Sequence, residues 1–108
     1  MPLATTDDLL AGIRAWVEIE TPTYDPAGVN RLMDLVGGQF AATGARVERI
    51  PGLDGRGDHL SITSPWGGPH GENSAGILVL CHLDTVHPLG TLANDLPFRV
   101  EGTLRVKF

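Results

Sequence analysis

His82 and Asp84 stand two residues apart at the end of the apolar run Gly76-Ile77-Leu78-Val79-Leu80-Cys81, and their types and spacing suit half of a metal site. In an extended segment side chains alternate, so His82 and Asp84 share one face while Cys81, Leu83 and Thr85 take the other. An imidazole that binds a metal through one ring nitrogen usually donates the N–H of the other to a carboxylate or carbonyl, which fixes the tautomer and raises the basicity of the ligating nitrogen. His82 is thus the candidate metal ligand. Asp84 is the candidate catalytic residue, acting by orienting His82. One such pair makes no complete centre, because a catalytic zinc needs about three protein ligands and an open position.

The other reactive side chains read differently. His87 precedes Pro88, which argues for a loop. His87 and Thr85 are therefore expected at a substrate crevice, with simple solvent exposure as the alternative for His87. His59 opens a strand and His70 lies in a glycine-rich loop, and both read as structural or solvated. Cys81 faces away from His82 and reads as a small buried residue rather than a ligand or nucleophile. The glycines at 55, 57, 67, 68 and 71 are turn residues, since no strand, Gly-rich loop and helix with a Lys-Ser/Thr pair follow one another here. Trp16 reads as core, and Trp66 as a cover over the core or a contact for another part of the protein.

The elements that must position the pair follow from hydrophobic spacing. Thr6 offers a cap, Asp7 and Asp8 suit a first turn, and Leu9, Leu10, Ile13, Trp16 and Val17 recur at helical intervals, predicting a helix to about Glu20. Thr21-Pro22-Thr23 stops it. Asp25 and Pro26 start a second helix over 26–43, with Val29, Leu32, Met33, Val36 and Phe40 as its stripe and Gly44 as its left-handed exit. Residues 45–50 and 59–63 alternate as strands around a turn at 51–58, and 64–75 is a Pro/Gly-rich loop. Residues 76–81 are apolar throughout, as in an interior strand covered on both faces, usually within a parallel sheet. Residues 98–101 and 104–108 flank Gly102-Thr103 as a short hairpin. The expected fold class is α/β: two N-terminal helices packed on a mixed, mostly parallel sheet. The His-Asp pair would then lie beyond the carboxyl end of a strand, where open α/β sheets form their crevices.

Composition narrows the partners. The chain of 108 residues, 42% hydrophobic, suits one modest domain. A net charge of −5, from 13 acidic and 8 scattered basic residues, argues against nucleic acid. No apolar run approaches the ~20 residues of a membrane span, and the opening Met-Pro-Leu-Ala-Thr-Thr-Asp-Asp does not resemble an export signal. A single cysteine fits a reducing compartment, so a cytoplasmic location is expected.

The run Ile77-Leu78-Val79-Leu80-Cys81-His82-Leu83-Asp84-Thr85-Val86-His87-Pro88-Leu89-Gly90-Thr91, followed by Leu96-Pro97-Phe98, resembles the zinc metallohydrolase family of glutamate carboxypeptidase, acetylornithine deacetylase and succinyl-diaminopimelate desuccinylase. Ile19-Glu20-Thr21-Pro22-Thr23 and Gly44-Ala45-Arg46-Val47 agree with it, and the resemblance extends to about Gly102. His87-Pro88-Leu89-Gly90-Thr91 is closest to the glutamate carboxypeptidase-like branch.

The resemblance implies a phosphorylase/hydrolase-like zinc exopeptidase catalytic domain, of which residues 1–108 would be the N-terminal part. It implies His82 on one of two zinc ions, with cobalt or manganese as substitutes, and Asp84 behind it. The implied reaction is hydrolysis of an amide bond in a small peptide or N-acyl amino acid, and a homodimer is compatible with the complete enzyme. Beyond Gly102 the family pattern leads to a Gly-Pro-Gly turn and a metal-bridging aspartate, whereas this chain reads Thr103-Leu104-Arg105-Val106-Lys107-Phe108. The bridging aspartate, the Glu-Glu pair, a further carboxylate ligand, a distant histidine and the dimerisation domain are missing. These 108 residues alone are therefore expected to be catalytically silent. The competing expectations are a truncated, non-catalytic binding module and a related dizinc aminopeptidase.

Overall fold

The computed structural model describes residues 3–65, 76–102 and 105–107. Helix α1 spans Thr6–Val17, and its cap is Thr5 rather than Thr6. The Thr5 Oγ1 accepts the Asp8 N–H at 3.1 Å and the Asp8 carboxylate accepts the Thr5 N–H at 2.9 Å. This reciprocal pair needs an acceptor side chain three residues after the cap. Thr5 finds Asp8 there, whereas Thr6 would find Leu9. The helix also ends earlier than its spacing suggests, with Glu18 as its C-cap, which frees residues 19–23 for tertiary contacts.

Helix α2 spans Pro26–Ala41 with proline in its first turn. Asp25 occupies the cap position, yet its side chain makes no capping bond. The helix buries Val29, Leu32, Met33 and Val36, the hydrophobic core among the described residues, while Phe40 in its last turn is exposed. Gly28 allows its first turn to lie against the segment that follows α1, because a Cβ at this position would collide with the Glu20 carbonyl oxygen. Gly44 takes φ +90°, the left-handed exit expected of it.

Strands β1 (Arg46–Ile50) and β2 (His59–Thr63) pair antiparallel, from Arg46 opposite Thr63 to Ile50 opposite His59. Gly37 of α2 approaches the side chains of Val47 and Leu60, so this hairpin lies along the helix. Asp58 closes the intervening turn by accepting the Gly52 N–H at 3.0 Å and the Arg49 Nε–H at 2.8 Å. Arg49 also donates to Asp34 of α2 at 2.7 Å, which joins hairpin to helix. On the other side, Trp16 is half-buried and donates its Nε1–H to Gln39 at 2.7 Å. Strands β3 (Arg99–Glu101) and β4 (Arg105–Lys107) form a second antiparallel pair, and the Arg14 guanidinium lies 5.3 Å from the Phe98 ring centre just before it.

The result is a mixed α/β arrangement of two helices and small antiparallel strand pairs. The segment 76–81 departs from expectation, since it joins no sheet among the described residues. Ile77 is 95% and Leu80 84% exposed, and Cys81 is exposed as well. The reason is geometric. An all-apolar strand holds when neighbouring strands take up its amides and carbonyls and helices cover its faces. Here the described strands pair only within two separate hairpins, and neither hairpin pairs with 76–81. The expected parallel sheet is represented among the described residues by an isolated parallel bridge between Pro22 and Thr85. Trp66, His70 and most of the 64–75 loop lie outside the described residues. No helix among the described residues is long and apolar enough to cross a membrane.

Candidate functional site

That isolated bridge organises the site. The Thr85 N–H donates to the Thr21 carbonyl at 2.8 Å and the Thr23 N–H donates to the Thr85 carbonyl at 3.0 Å, so 21–23 runs parallel beside 83–85. Thr21, buried, adds its hydroxyl to the Leu83 carbonyl at 2.7 Å. Two threonines flanking Pro22 thereby hold the His-x-Asp segment without a full sheet. Pro22 suits the middle position, because it lacks an N–H that would otherwise need a partner.

Within that frame His82 and Asp84 meet as their spacing predicts. The His82 Nδ1 lies 2.9 Å from the Asp84 carbonyl oxygen and 3.2 Å from its Oδ1. Both partners are acceptors when the carboxylate is ionised, so the arrangement favours a proton on Nδ1, which in a neutral imidazole leaves the lone pair on Nε2. The Thr23 hydroxyl donates to the other carboxylate oxygen, Oδ2, at 2.7 Å. That bond, with smaller help from the Asp84 N–H and His82, holds the Asp84 carboxyl below its ordinary value of 3.8. Asp84 is thus an anion facing an imidazole, the state in which it orients a ligand.

The loop beyond the pair is held by Glu20. Its carboxylate accepts the Gly90 N–H at 3.0 Å and the Leu92 N–H at 3.3 Å. Thr91, buried between them, donates its hydroxyl to the Pro88 carbonyl at 2.6 Å, and Gly90 supplies the φ of +92° that the turn requires. This turn follows His87, whose N–H donates to the Thr85 hydroxyl at 3.3 Å. His82, Asp84, Thr85 and His87 all border one cavity of about 370 Å³, whose apolar wall includes Trp16, Leu32, Leu83, Leu92 and Leu96. His59 is exposed on β2 and does not line it.

The Gly90 and Leu92 amides, in that order, hold the Glu20 carboxyl below its ordinary value of 4.5. A carboxyl depressed in the folded state contributes stability above its unfolded pKa and loses it as pH falls through the folded one. The expected result is that the Gly90 and Leu92 amide shifts titrate together at a pH below 4.5. Glu20→Gln should abolish that shared titration in a two-dimensional amide NMR series, and its survival would show that another acid holds the turn.

Among the described residues no three His, Cys, Asp or Glu side chains lie close enough to hold an ion. The side chains present fit a single contribution to a metal site, one imidazole with its accessible Nε2 and a backing carboxylate. No family model, curated protein or solved structure matches the chain. Glu20, Thr21 and Thr23 are the site residues that reading by spacing missed. They sit at the end of a helix beside a proline, and hydrogen bonds across about sixty to seventy residues of chain leave no periodic trace.

Proposed function

We propose that this chain forms the N-terminal part of the catalytic domain of a zinc-dependent hydrolase that cleaves the amide bond of a small peptide or N-acyl amino acid. The observation that carries the reading is the contact of His82 with Asp84 at the border of a cavity with an apolar wall. The Nδ1 lies against the Asp84 carbonyl and carboxylate oxygens, and Nε2 is the ring nitrogen left for a metal ion. A bound zinc would acidify its water and polarise the amide carbonyl. His82 supplies one ligand and Asp84 holds its tautomer. Thr85 and His87 lie where a substrate's polar end would rest, with the cavity wall receiving an apolar portion. The remaining ligands and the general base would come from beyond the described residues. In the complete domain 76–81 would enter a mixed, mostly parallel sheet as an interior strand, which accounts for its apolar run. A cytoplasmic location belongs to the same reading.

The test is removal and return of the metal. A chelator should abolish hydrolysis of N-acyl amino acids and dipeptides by the full-length protein, and zinc, cobalt or manganese should restore it. Hydrolysis that persists in chelator, with no bound metal by elemental analysis, would end the proposal.

A further inference from the structure

We propose that Thr23 is a positioning residue for His82, acting through Asp84. Its hydroxyl has one proton and two acceptors in reach, the Asp84 Oδ2 at 2.7 Å and the Thr85 carbonyl at 3.1 Å. The shorter, charge-assisted contact takes the proton. The two carboxylate oxygens are thereby divided, Oδ2 to Thr23 and Oδ1 to the His82 Nδ1.

The division matters because packing restrains the imidazole little. The His82 side chain is 82% exposed, whereas that of Asp84 is 34% exposed, so the ring depends on its hydrogen bonds for orientation. Among the described residues the imidazole has the carbonyl and the carboxylate of Asp84 as its partners. Thr23 itself is rigidly placed, since its N–H is bonded to the Thr85 carbonyl. A fixed hydroxyl therefore orients the carboxylate, and the carboxylate adds a second acceptor beside the Asp84 carbonyl to fix the plane of the imidazole. Residues that orient a ligating histidine influence metal affinity without touching the ion.

The orientation stands on hydrogen bonds alone, whereas its consequence for metal affinity rests on His82 being a ligand. The experiment separates the two. In the 108-residue chain, the His82 ring nitrogens are followed by long-range proton–nitrogen NMR at a pH of about 8.5, where imidazoles are neutral. Zinc chloride is then titrated into the same sample. Thr23→Val keeps the side-chain shape and removes the hydroxyl. It should move His82 away from the Nδ1–H tautomer and weaken zinc binding by roughly three- to tenfold, less than the roughly 10–100-fold that losing a direct orienting partner costs, because the carboxylate itself remains. Thr23→Ser should restore both. In an Asp84→Asn background Thr23→Val should have no further effect on the ring, because the route through the carboxylate is already broken.

Unchanged ring nitrogens in Thr23→Val would overturn the proposal. So would failure of Thr23→Ser to restore them, which would assign the effect to the lost methyl packing. A ring response with no zinc binding in any variant would leave the Thr23 relay standing and remove His82 from its role as ligand.

Discussion

Under the proposed function, replacing His82 by alanine is expected to take zinc-dependent amide hydrolysis below detection while leaving the fold intact. The two halves of that result have separate causes. An imidazole 82% exposed contributes little packing, so its removal should change stability by no more than about 0.5 kcal/mol. As the proposed ligand it belongs to no cluster of three ligating side chains among the described residues, so no ready-made set remains to hold the ion without it. Asp84→Asn gives the graded comparison. It keeps shape and loses the charge that attracts the Nδ1 proton, and a cost of about 10–100-fold is the usual consequence for a partner behind a metal-bound histidine. Measuring kcat/KM with metal content and circular dichroism on the same samples tests the ordering. Wild-type activity in His82→Ala would discard the metallohydrolase reading outright.

The second large effect is structural, and falls on Leu32. Only 3% of it remains exposed, and among the described residues it belongs to a core of four hydrophobic side chains carried entirely by α2. Truncating a buried leucine to alanine costs about 2–5 kcal/mol through lost transfer energy and the cavity left behind. A small domain is stabilised by about 5–15 kcal/mol in total, and one whose described large side chains are nowhere fully buried should lie at the low end. Leu32→Ala should therefore shift the urea midpoint of the helical signal sharply downward. Ile77→Ala, at a position 95% exposed, should move it hardly at all. Equal effects from the two would show that 76–81 is packed in solution and that α2 is not the sole source of the core.

Helix α2 was the most legible element because its restart, stripe and exit each depend on residues adjacent in sequence. Pro26, the Val29 to Val36 spacing and Gly44 all appear where local physics puts them. The hairpin of β1 and β2 was equally local, with alternating residues around a turn cluster. The strand at 76–81 failed for the opposite reason. Hydrophobicity reports that a segment seeks cover, and only its neighbours decide whether it receives any. Cys81 follows the same logic, since its expected burial depended on that cover.

For the site, the sequence by itself determined the His82 and Asp84 pairing, because a two-residue offset brings both side chains to one side and within hydrogen-bond reach. It also determined that His87 would lie in a loop, through Pro88. Only the tertiary structure decided what holds them. Thr21 and Thr23 reach residues 83–85, and Glu20 grips the amides of Gly90 and Leu92. Contacts of that range arise when the chain end of α1 is laid beside a distant segment. The free energy that fixes them comes from shared hydrogen bonds and burial, not from any preference legible in the residues one at a time.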